Sequence, residues 1–210
     1  MKAIAKDPEP HSLTQYRLTL QAHYDGYTQK DELRLSLATE QRGICCYCMQ
    51  RIRPGGGGMK IEHWHCQALY PHQQLDYDNL LGACMGNEGQ PKKAQHCDTR
   101  KGDAILSRNP ANPTHRIESF IQYRGDGRIA SHDALFDREL HDILNLNAPF
   151  LVNNRKAVLD GFTRGLPPGK TLSTSTLQRM VSDWNGDGGG ELRPFCGVVV
   201  YLLRKRLARA

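Results

Sequence analysis

Five polar side chains within one stretch of the chain have the types and the order that phosphodiester hydrolysis requires. Glu62 and His63 are adjacent, Asn79 follows, and Asp98 and Lys101 lie three residues apart. Hydrolysis with one metal ion needs oxygen ligands for a hard divalent cation, a base for water, and a group that holds the base. Carboxylates, an imidazole and an asparagine amide can fill these roles. This stretch therefore predicts a metal-dependent phosphodiesterase site.

Four cysteines surround the same stretch in two groups. They are Cys45, Cys48, Cys84 and Cys97. The first two form a C-x-x-C pair, and 12 residues separate the last two. Four thiolates in two sequence-distant groups can close a tetrahedral structural zinc site. Cys46 can replace either member of the first pair, and His96 can replace Cys97. Free thiols or a redox C-x-x-C pair are the alternative interpretation.

These motifs resemble those of HNH endonucleases with the ββα-metal fold. The matching segments are Cys45-x-Tyr47-Cys48, Ile61-Glu62-His63, Asp76-Tyr77-x-Asn79-Leu80-Leu81-x-x-Cys84 and His96-Cys97-Asp98-x-x-Lys101-Gly102-Asp103. More narrowly, the chain resembles the HNH proteins of bacterial anti-phage systems, the Septu (PtuB) and retron-associated family, to about residue 155. The resemblance implies an α+β chain, in which a ββα-metal core with structural zinc is flanked by helical N- and C-terminal segments.

The resemblance gives each polar residue of the core a role. It implies His63 as the general base, Asn79 as the central asparagine, and Asp98 at a position where many HNH proteins carry Asn or His. We expect Asn79 to orient His63 by hydrogen bonding. Asp98, with Glu62 as a further candidate ligand, is expected to hold Mg²⁺ or Mn²⁺. Lys101 shares a helix face with Asp98 and is expected to approach the phosphate.

Local geometry sets two conditions on these roles. Neighbouring residues in a regular strand point to opposite faces, so Glu62 and His63 serve one site only if the chain bulges or leaves the strand there. His65 would share the strand face of His63, which makes it the rival base or a second ligand.

Three aromatic residues near the motif are expected to pack in a small core rather than to stack on bases. These are Tyr47, Trp64 and Tyr77.

The chain divides into a helical N-terminal segment (1–44), the nuclease core (45–109) and a mostly helical C-terminal region (114–210). Hydrophobic periodicity and turn residues predict the elements within them. Helices are expected over 13–23, 31–42, 97–106, 139–146 and 153–162. A glycine loop over 55–58 should precede the first core strand, and 80–83 should form the second. A further hairpin over 116–129 should turn at Gly125-Asp126-Gly127. Residues 165–169 should interrupt the regular secondary structure.

Composition fits a small protein of the reducing bacterial cytoplasm. The chain has 210 residues, of which 39% are hydrophobic, and its net charge is +6. No apolar run is long enough to span a bilayer, and the first residues lack a signal-peptide pattern. Residues 191–210 carry five basic residues and one acidic residue. The tail Arg204-Lys205-Arg206-x-x-Arg209 is therefore a candidate nucleic-acid contact, with a solvated basic helix end as the alternative.

The resemblance also implies partners. These are nucleic acid, DNA rather than RNA, an ATPase subunit of a Septu-type defence system and, in retron versions, a reverse transcriptase with its RNA–DNA product. The sequence has no G-x-x-x-x-G-K-[ST] loop, so any ATP control should act in trans, with residues 1–44 and 114–210 docking on the partner. The sequence also allows two functions other than a nuclease. One is a zinc-stabilised nucleic-acid or protein-binding adaptor with an inactive HNH site, and the other is a redox-sensing module that uses Cys45 and Cys48.

Overall fold

The computed structural model describes residues 1–167 and 172–209, which contain eight α-helices and two small antiparallel sheets. The helices are α1 (His11–Arg17), α2 (Lys30–Glu40), α3 (Cys97–Lys101), α4 (Ile117–Phe120), α5 (Ala134–Arg138), α6 (Pro149–Arg164), α7 (Thr174–Asn185) and α8 (Cys196–Leu207). The strands are β1 (Lys60–His63), β2 (Leu80–Ala83), β3 (Ile121–Tyr123) and β4 (Ile129–Ser131). This composition confirms the predicted mixture of helices and small sheets.

Helix α2 confirms the helix predicted over 31–42. Leu33, Leu37 and Ala38 lie on one face of it and are buried, as the periodicity predicted. Gly43 follows with a φ of +75°, and its N–H donates to the Ala38 carbonyl at 2.8 Å. This left-handed residue ends the helix and turns the chain toward the first cysteine pair.

Two other helices are shorter than predicted. α1 ends at Arg17 instead of near residue 23, because only Leu13 is buried and Leu20 is 98% exposed. A longer helix would have had no apolar surface to pack against. α3 ends at Lys101 instead of residue 106, since Gly102 takes a φ of +53°, a conformation that terminates a helix.

The first hairpin pairs β1 with β2 in a regular antiparallel register. Glu62 lies opposite Leu81 and His63 opposite Leu80. On the far side of β2, the amide of Gln41 donates to the Gly82 carbonyl at 2.7 Å and accepts from the Gly82 N–H at 2.5 Å. The Gln41 side chain thus substitutes for a third strand and fixes the hairpin to the end of α2.

The C-terminal region begins with the second hairpin, β3 and β4, which turns at the predicted Gly125-Asp126-Gly127. The first residues of that predicted hairpin form α4 instead. The helix predicted over 139–146 begins earlier, as α5, and continues into a π-helical turn at Glu139–Ile143. α6 extends the helix predicted over 153–162 by several residues. The predicted break follows α6 directly, and its last two residues lie outside the described residues.

One apolar cluster draws on all three predicted segments. Leu37, Leu81, Phe136 and Leu151 are buried in it together. The hairpin and the cysteines therefore sit on a core that both flanks help to build. Among the described residues, no helix has the length and apolar character needed to cross a bilayer.

Candidate functional site

The four predicted zinc ligands converge in the interior. Cys45, Cys48, Cys84 and Cys97 are all buried, and their sulfur atoms lie within 4.8 Å of one another. The Cys45 and Cys97 sulfurs are 3.9 Å apart, and those of Cys48 and Cys84 are 3.6 Å apart. In a tetrahedral site with Zn–S bonds of about 2.3 Å, sulfur atoms lie roughly 3.8 Å apart. The cluster can therefore hold a metal such as zinc.

The first cysteine pair lies on a tight turn. Cys45 accepts from the Met49 N–H at 3.1 Å and donates its own N–H to the Gln50 carbonyl at 2.8 Å. The Gln50 N–H points at the Cys48 sulfur, 3.4 Å away. Met49 takes a φ of +65° to close the turn. N–H groups directed at a sulfur stabilise its thiolate form, which is the form that binds metal.

The second pair is brought together in spite of its loose spacing. The intervening loop closes on itself, because the His96 N–H donates to the Gly86 carbonyl at 3.0 Å. Gly86 has a φ of +59°, and a side chain there would meet the His96 carbonyl oxygen at 2.4 Å. Cys97 itself has a φ of +54°, unusual for a cysteine, and donates its N–H to Leu144. The fold thus maintains a strained backbone that directs the Cys97 sulfur into the cluster.

The alternative ligands lie beside the cluster. The Cys46 thiol is buried but is not among the four converging sulfurs. The Nδ1 atom of His96 is 3.1 Å from the Cys97 sulfur and 3.9 Å from that of Cys84, and its ring packs on Phe150. His96 thus borders the four sulfurs without joining them. A two-thiol redox pair would not require Cys84 and Cys97 to approach Cys45 and Cys48, so the geometry favours metal binding.

His63 ends β1 with its ring buried. Its Nε2 lies 2.9 Å from the Gln74 carbonyl oxygen. A carbonyl can only accept, so Nε2 carries the hydrogen and Nδ1 keeps a free lone pair. Burial lowers the pKa of His63, although the Gln74 carbonyl and Asp98 oppose the shift. The Tyr24 ring packs perpendicular to the imidazole, with ring centres 4.4 Å apart. The His63 ring is therefore fixed in orientation, and burial favours its neutral form.

Asn79 does not make the predicted hydrogen bond to the His63 ring. Its Oδ1 accepts from the His65 N–H at 2.7 Å, and its Nδ2 donates to the His65 and Gln73 carbonyls at 3.0 and 3.2 Å. Asn79 thereby ties together the two ends of the loop between β1 and β2. It acts on His63 only indirectly, by fixing the backbone beside Gln74.

Lys101 also differs from its predicted role. Its side chain is 1% exposed, and its Nζ lies 2.9 Å from Glu62 Oε1 and donates to the His63 carbonyl at 3.0 Å. The Tyr47 hydroxyl donates to the same Glu62 oxygen at 2.7 Å. Lys101 is therefore neither a free phosphate contact nor a surface lysine, but an internal support between α3 and β1.

Glu62 and Asp98 form a pair of carboxyl groups on the α3 side of the hairpin. Burial and the neighbouring Asp98 carboxyl raise the pKa of Glu62 well above its usual range, while Lys101 and Tyr47 lower it. Lys60 pairs with Asp98 at 3.2 Å. β1 is regular up to His63, so Glu62 has different neighbours from the His63 ring. No bulge occurs at Glu62, so its side chain and the His63 ring lie on opposite faces of β1. Asp98 is the carboxyl near enough to raise the pKa of both groups, and it therefore links the two faces.

His65, the predicted rival base, lies just beyond the strand. Its Nδ1 is 2.6 Å from the Gln73 side-chain oxygen, and its ring stacks on Tyr70 at 4.3 Å. Tyr47 and Tyr77 are buried, as expected, but Trp64 is only half-buried. Sequence reasoning missed Tyr24 and Gln74. No signal in the sequence marks Gln74, because it contributes a backbone oxygen that every residue has.

Comparison with known proteins gives one informative match. No protein-family model matches the chain. The chain is similar to the Septu protein PtuB of Bacillus thuringiensis, with 29% identity over 91 residues, which are 43% of this chain and 34% of the relative. The match thus spans about a third of the length of that curated protein. It supports the Septu part of the predicted resemblance.

Proposed function

We propose that this chain is a metal-dependent HNH endonuclease that hydrolyses nucleic-acid phosphodiester bonds, with DNA as the expected substrate, and that it is the effector of an anti-phage defence complex. The observation that carries the proposal is the state of His63. Its Nε2 is held by the Gln74 carbonyl, and its Nδ1 lone pair is free to accept a proton. The carboxyl groups of Glu62, on β1, and Asp98, on α3, lie nearby.

His63 would take the proton from the attacking water. A general base must be neutral before the reaction, and burial lowers the pKa of this imidazole and keeps it so. When the ring becomes charged, the Gln74 carbonyl stabilises the Nε2–H group, as a hydrogen bond to a charged donor is stronger than one to a neutral donor. The Asn79 amide keeps that carbonyl in place through the backbone of Gln73 and His65.

The residues present fit both metals that the resemblance implies. Four buried thiols at tetrahedral spacing suit structural zinc. Glu62 and Asp98 offer the carboxylate oxygens that Mg²⁺ or Mn²⁺ prefers. Burial and then the neighbouring Asp98 raise the pKa of Glu62, and a divalent cation at the pair would stabilise its ionised form. Such a cation, when bound, supplies positive charge to the phosphate in the transition state.

Two lysines would neutralise the charges of these two carboxyl groups. Lys101 is buried against Glu62, and Lys60, which is more exposed, lies against Asp98. Lys60 can therefore move aside for a cation at low cost, whereas Lys101 cannot leave without exposing Glu62. We infer that Asp98 is the main ligand of the divalent cation and that Lys101 holds Glu62 in position beside it.

The similarity to the Septu protein PtuB supports a place in a defence complex. We propose an ATPase subunit as the partner, with a reverse transcriptase and its RNA–DNA product in a retron setting. Residues 1–44 and 114–210 would carry the contact surface. They also supply much of the apolar cluster beneath the hairpin, so a partner that binds them can alter the position of His63.

The test is a cleavage assay on the chain purified alone and together with the products of neighbouring genes. Plasmid, single-stranded DNA and tRNA are incubated with Mg²⁺ or Mn²⁺. The variant His63→Ala should lose about 10²- to 10⁴-fold in rate and keep its zinc and melting temperature. His132→Ala is the matched control, because His132 is exposed and stacks on Phe120 away from the site.

Three results would change the proposal. Near-normal cleavage by His63→Ala together with an inactive His65→Ala would move the base to His65. Binding of nucleic acid without cleavage under any metal or partner condition would make the chain a zinc-stabilised adaptor. A chain that cuts plasmid at full rate alone, and stays free of the ATPase in size-exclusion chromatography, is an autonomous nuclease without a docking role for its flanks.

A further inference from the structure

A row of five aromatic rings lies next to His63 and has no part in the hydrolysis described above. In order along the row, the rings belong to His115, Trp64, His65, Tyr70 and His72. Neighbouring ring centres are 6.2, 4.2, 4.3 and 6.4 Å apart. The first four rings are half-buried and the last is exposed. We call these five residues the aromatic row.

The aromatic row differs from a piece of ordinary core. Trp64 touches the largest apolar cluster from its edge, and Tyr70 belongs to none of the apolar clusters formed by the described residues. Burial of apolar area therefore does not account for the ordering of Tyr70 and His65. Side-chain hydrogen bonds order His65, because Gln73 holds its ring and Asn79 holds its backbone, and Tyr70 stacks on that ring.

The position of the row relates it to the proposed chemistry. Trp64 and His65 directly follow His63, so their Cα atoms lie within roughly 7 Å of that of the proposed base. The loop that carries Tyr70 and His72 is the same loop whose Gln74 carbonyl orients His63. Whatever stacks on the row therefore lies close to the phosphate whose attacking water His63 would deprotonate.

Two cations lie near His63 and near the loop that carries Tyr70 and His72. Lys30 lies 4.5 Å over the ring of Tyr24, which contacts His63, and it pairs with no carboxylate among the described residues. Arg17 donates to the Leu75 carbonyl in the same loop at 3.2 Å, and it also pairs with Glu9. Flat rings flanked by cations suit a ligand that carries both flat bases and phosphates.

We propose that the aromatic row is a stacking platform for unpaired nucleotides, and that it directs the proposed nuclease to single-stranded or looped nucleic acid. The inference rests on the proposed function for its position but not for its binding chemistry. Bases within a duplex are already covered on both faces by their neighbours, so only unpaired bases can stack on protein rings. Stacking is common to DNA and RNA, because every base has a flat face.

The test measures binding with cleavage switched off. The 210-residue chain carrying His63→Ala is titrated with a single-stranded DNA oligonucleotide, the RNA of the same sequence, and the DNA duplex, with fluorescence anisotropy as the readout. Tyr70→Ala in that background should weaken binding of the single strands about tenfold and leave duplex binding within twofold. Tyr70→Phe should restore it, because the ring is retained. Tyr201→Ala is the control, since Tyr201 is a half-buried tyrosine on α8.

A second readout reports on stacking directly. The chain has two tryptophans, so Trp184→Phe leaves Trp64 as the only indole emitter. Single strands should then quench its fluorescence, and duplex should not. If Tyr70→Ala fails to fold, His72→Ala takes its place, because that ring is exposed and contributes little to folding.

The outcomes separate this proposal from the proposed function. Unchanged single-strand affinity in Tyr70→Ala or His72→Ala, or tighter binding of duplex than of single strands, overturns the platform even if the chain cleaves DNA. If those variants bind single strands more weakly and their Trp64 fluorescence is not quenched, the platform is supported even if the chain cleaves nothing. Tighter binding of the RNA arm than of the DNA arm would move the expected substrate to RNA.

Discussion

The four-cysteine cluster and the pocket around His63 hold their polar groups in different ways. In the cluster, four like side chains approach one another, with sulfurs 3.6 and 3.9 Å apart in two of the pairs. In the pocket, side chains are held by backbone atoms, since the Gln74 carbonyl orients His63 and Asn79 binds the backbone of His65 and Gln73. The cluster thus depends on side-chain identity, and the pocket depends on the path of one loop.

This difference separates stability from activity. A metal bound by four side chains that come from three distant parts of the chain contributes its binding free energy to folding. A loop held by a few hydrogen bonds contributes little to folding but sets the position of a base to a fraction of an ångström. Changes in the cluster should therefore act first on stability, and changes in the pocket should act first on cleavage.

The largest effect is expected for Cys84→Ser. Loss of one thiolate should release zinc and lower the melting temperature by about 10 °C or more, because structural zinc sites contribute on the order of 10 kcal/mol. Elemental analysis and differential scanning calorimetry give the measurement. Cys66→Ser is the matched control, since Cys66 is buried outside the cluster, and it should keep its zinc. A stable Cys84→Ser protein with unchanged metal content would refute the zinc assignment.

The second effect concerns Lys101, which is buried between α3 and β1 beside the pocket. Lys101→Met should cost about 3 to 5 kcal/mol, because it leaves Glu62 buried without its cation. Lys60→Met removes the more exposed lysine of the same carboxyl pair and should cost less than about 1 kcal/mol. Urea unfolding of both variants tests the contrast.

A double variant checks the cause of that loss. Adding Glu62→Gln to Lys101→Met removes the unpaired buried charge and should recover part of the stability. Equal stability of Lys101→Met and Lys60→Met would mean that Lys101 is the solvent-facing phosphate contact that the sequence predicted.

The two regions also differ in how far the sequence could predict them. The cysteine ligands were predictable because zinc requires a specific side chain, and the tight turn after Cys45 is encoded by local spacing. The convergence of the loosely spaced Cys84 and Cys97 depends on a loop closed between Gly86 and His96, which spacing alone does not reveal. The helix over α2 and the turn at Gly125-Asp126-Gly127 were predictable from periodicity and glycine placement for similar local reasons.

The roles in the pocket could not be predicted because they depend on backbone atoms and burial. Every residue has a carbonyl, so nothing distinguishes Gln74 in the sequence. Lys101 and Asp98 share a helix face, as predicted, but the sequence does not show that Lys101 turns inward to Glu62. The ends of α1 and α3 were missed because a helix stops where its buried face ends or a glycine changes conformation, and both depend on tertiary packing.

Asn79→Ala should lower the cleavage rate by more than its loss of stability explains. The variant leaves backbone groups of His65 and Gln73 without their partner, which costs about 1 to 3 kcal/mol. Cleavage should fall at least tenfold, because the Gln74 carbonyl is no longer held. Asn147→Ala is the control, since the Asn147 side chain also accepts from a backbone N–H and donates to a backbone carbonyl, both of Ile129, but lies outside the site.

The comparison of rates decides what Asn79 does. If Asn79→Ala and Asn147→Ala lose similar stability but only the first loses cleavage, the amide positions the base. If both lose cleavage in proportion to stability, Asn79 has only a general structural role.

The smallest effect on stability is expected from a brief treatment with EDTA. A cation held by one or two carboxylates keeps several waters and exchanges readily, whereas zinc bound by four buried thiolates has no open position for a competing ligand. EDTA should therefore abolish cleavage while the zinc content stays unchanged and the melting temperature shifts by less than about 2 °C. Excess Mg²⁺ should restore the rate within minutes.

Cleavage that survives EDTA would leave Glu62 and Asp98 without a catalytic cation. Loss of zinc together with cleavage would mean that the two regions respond to metal as one site. Retention of zinc with reversible loss of cleavage is the result that keeps the cluster as the support of the fold and the pocket as the site of chemistry.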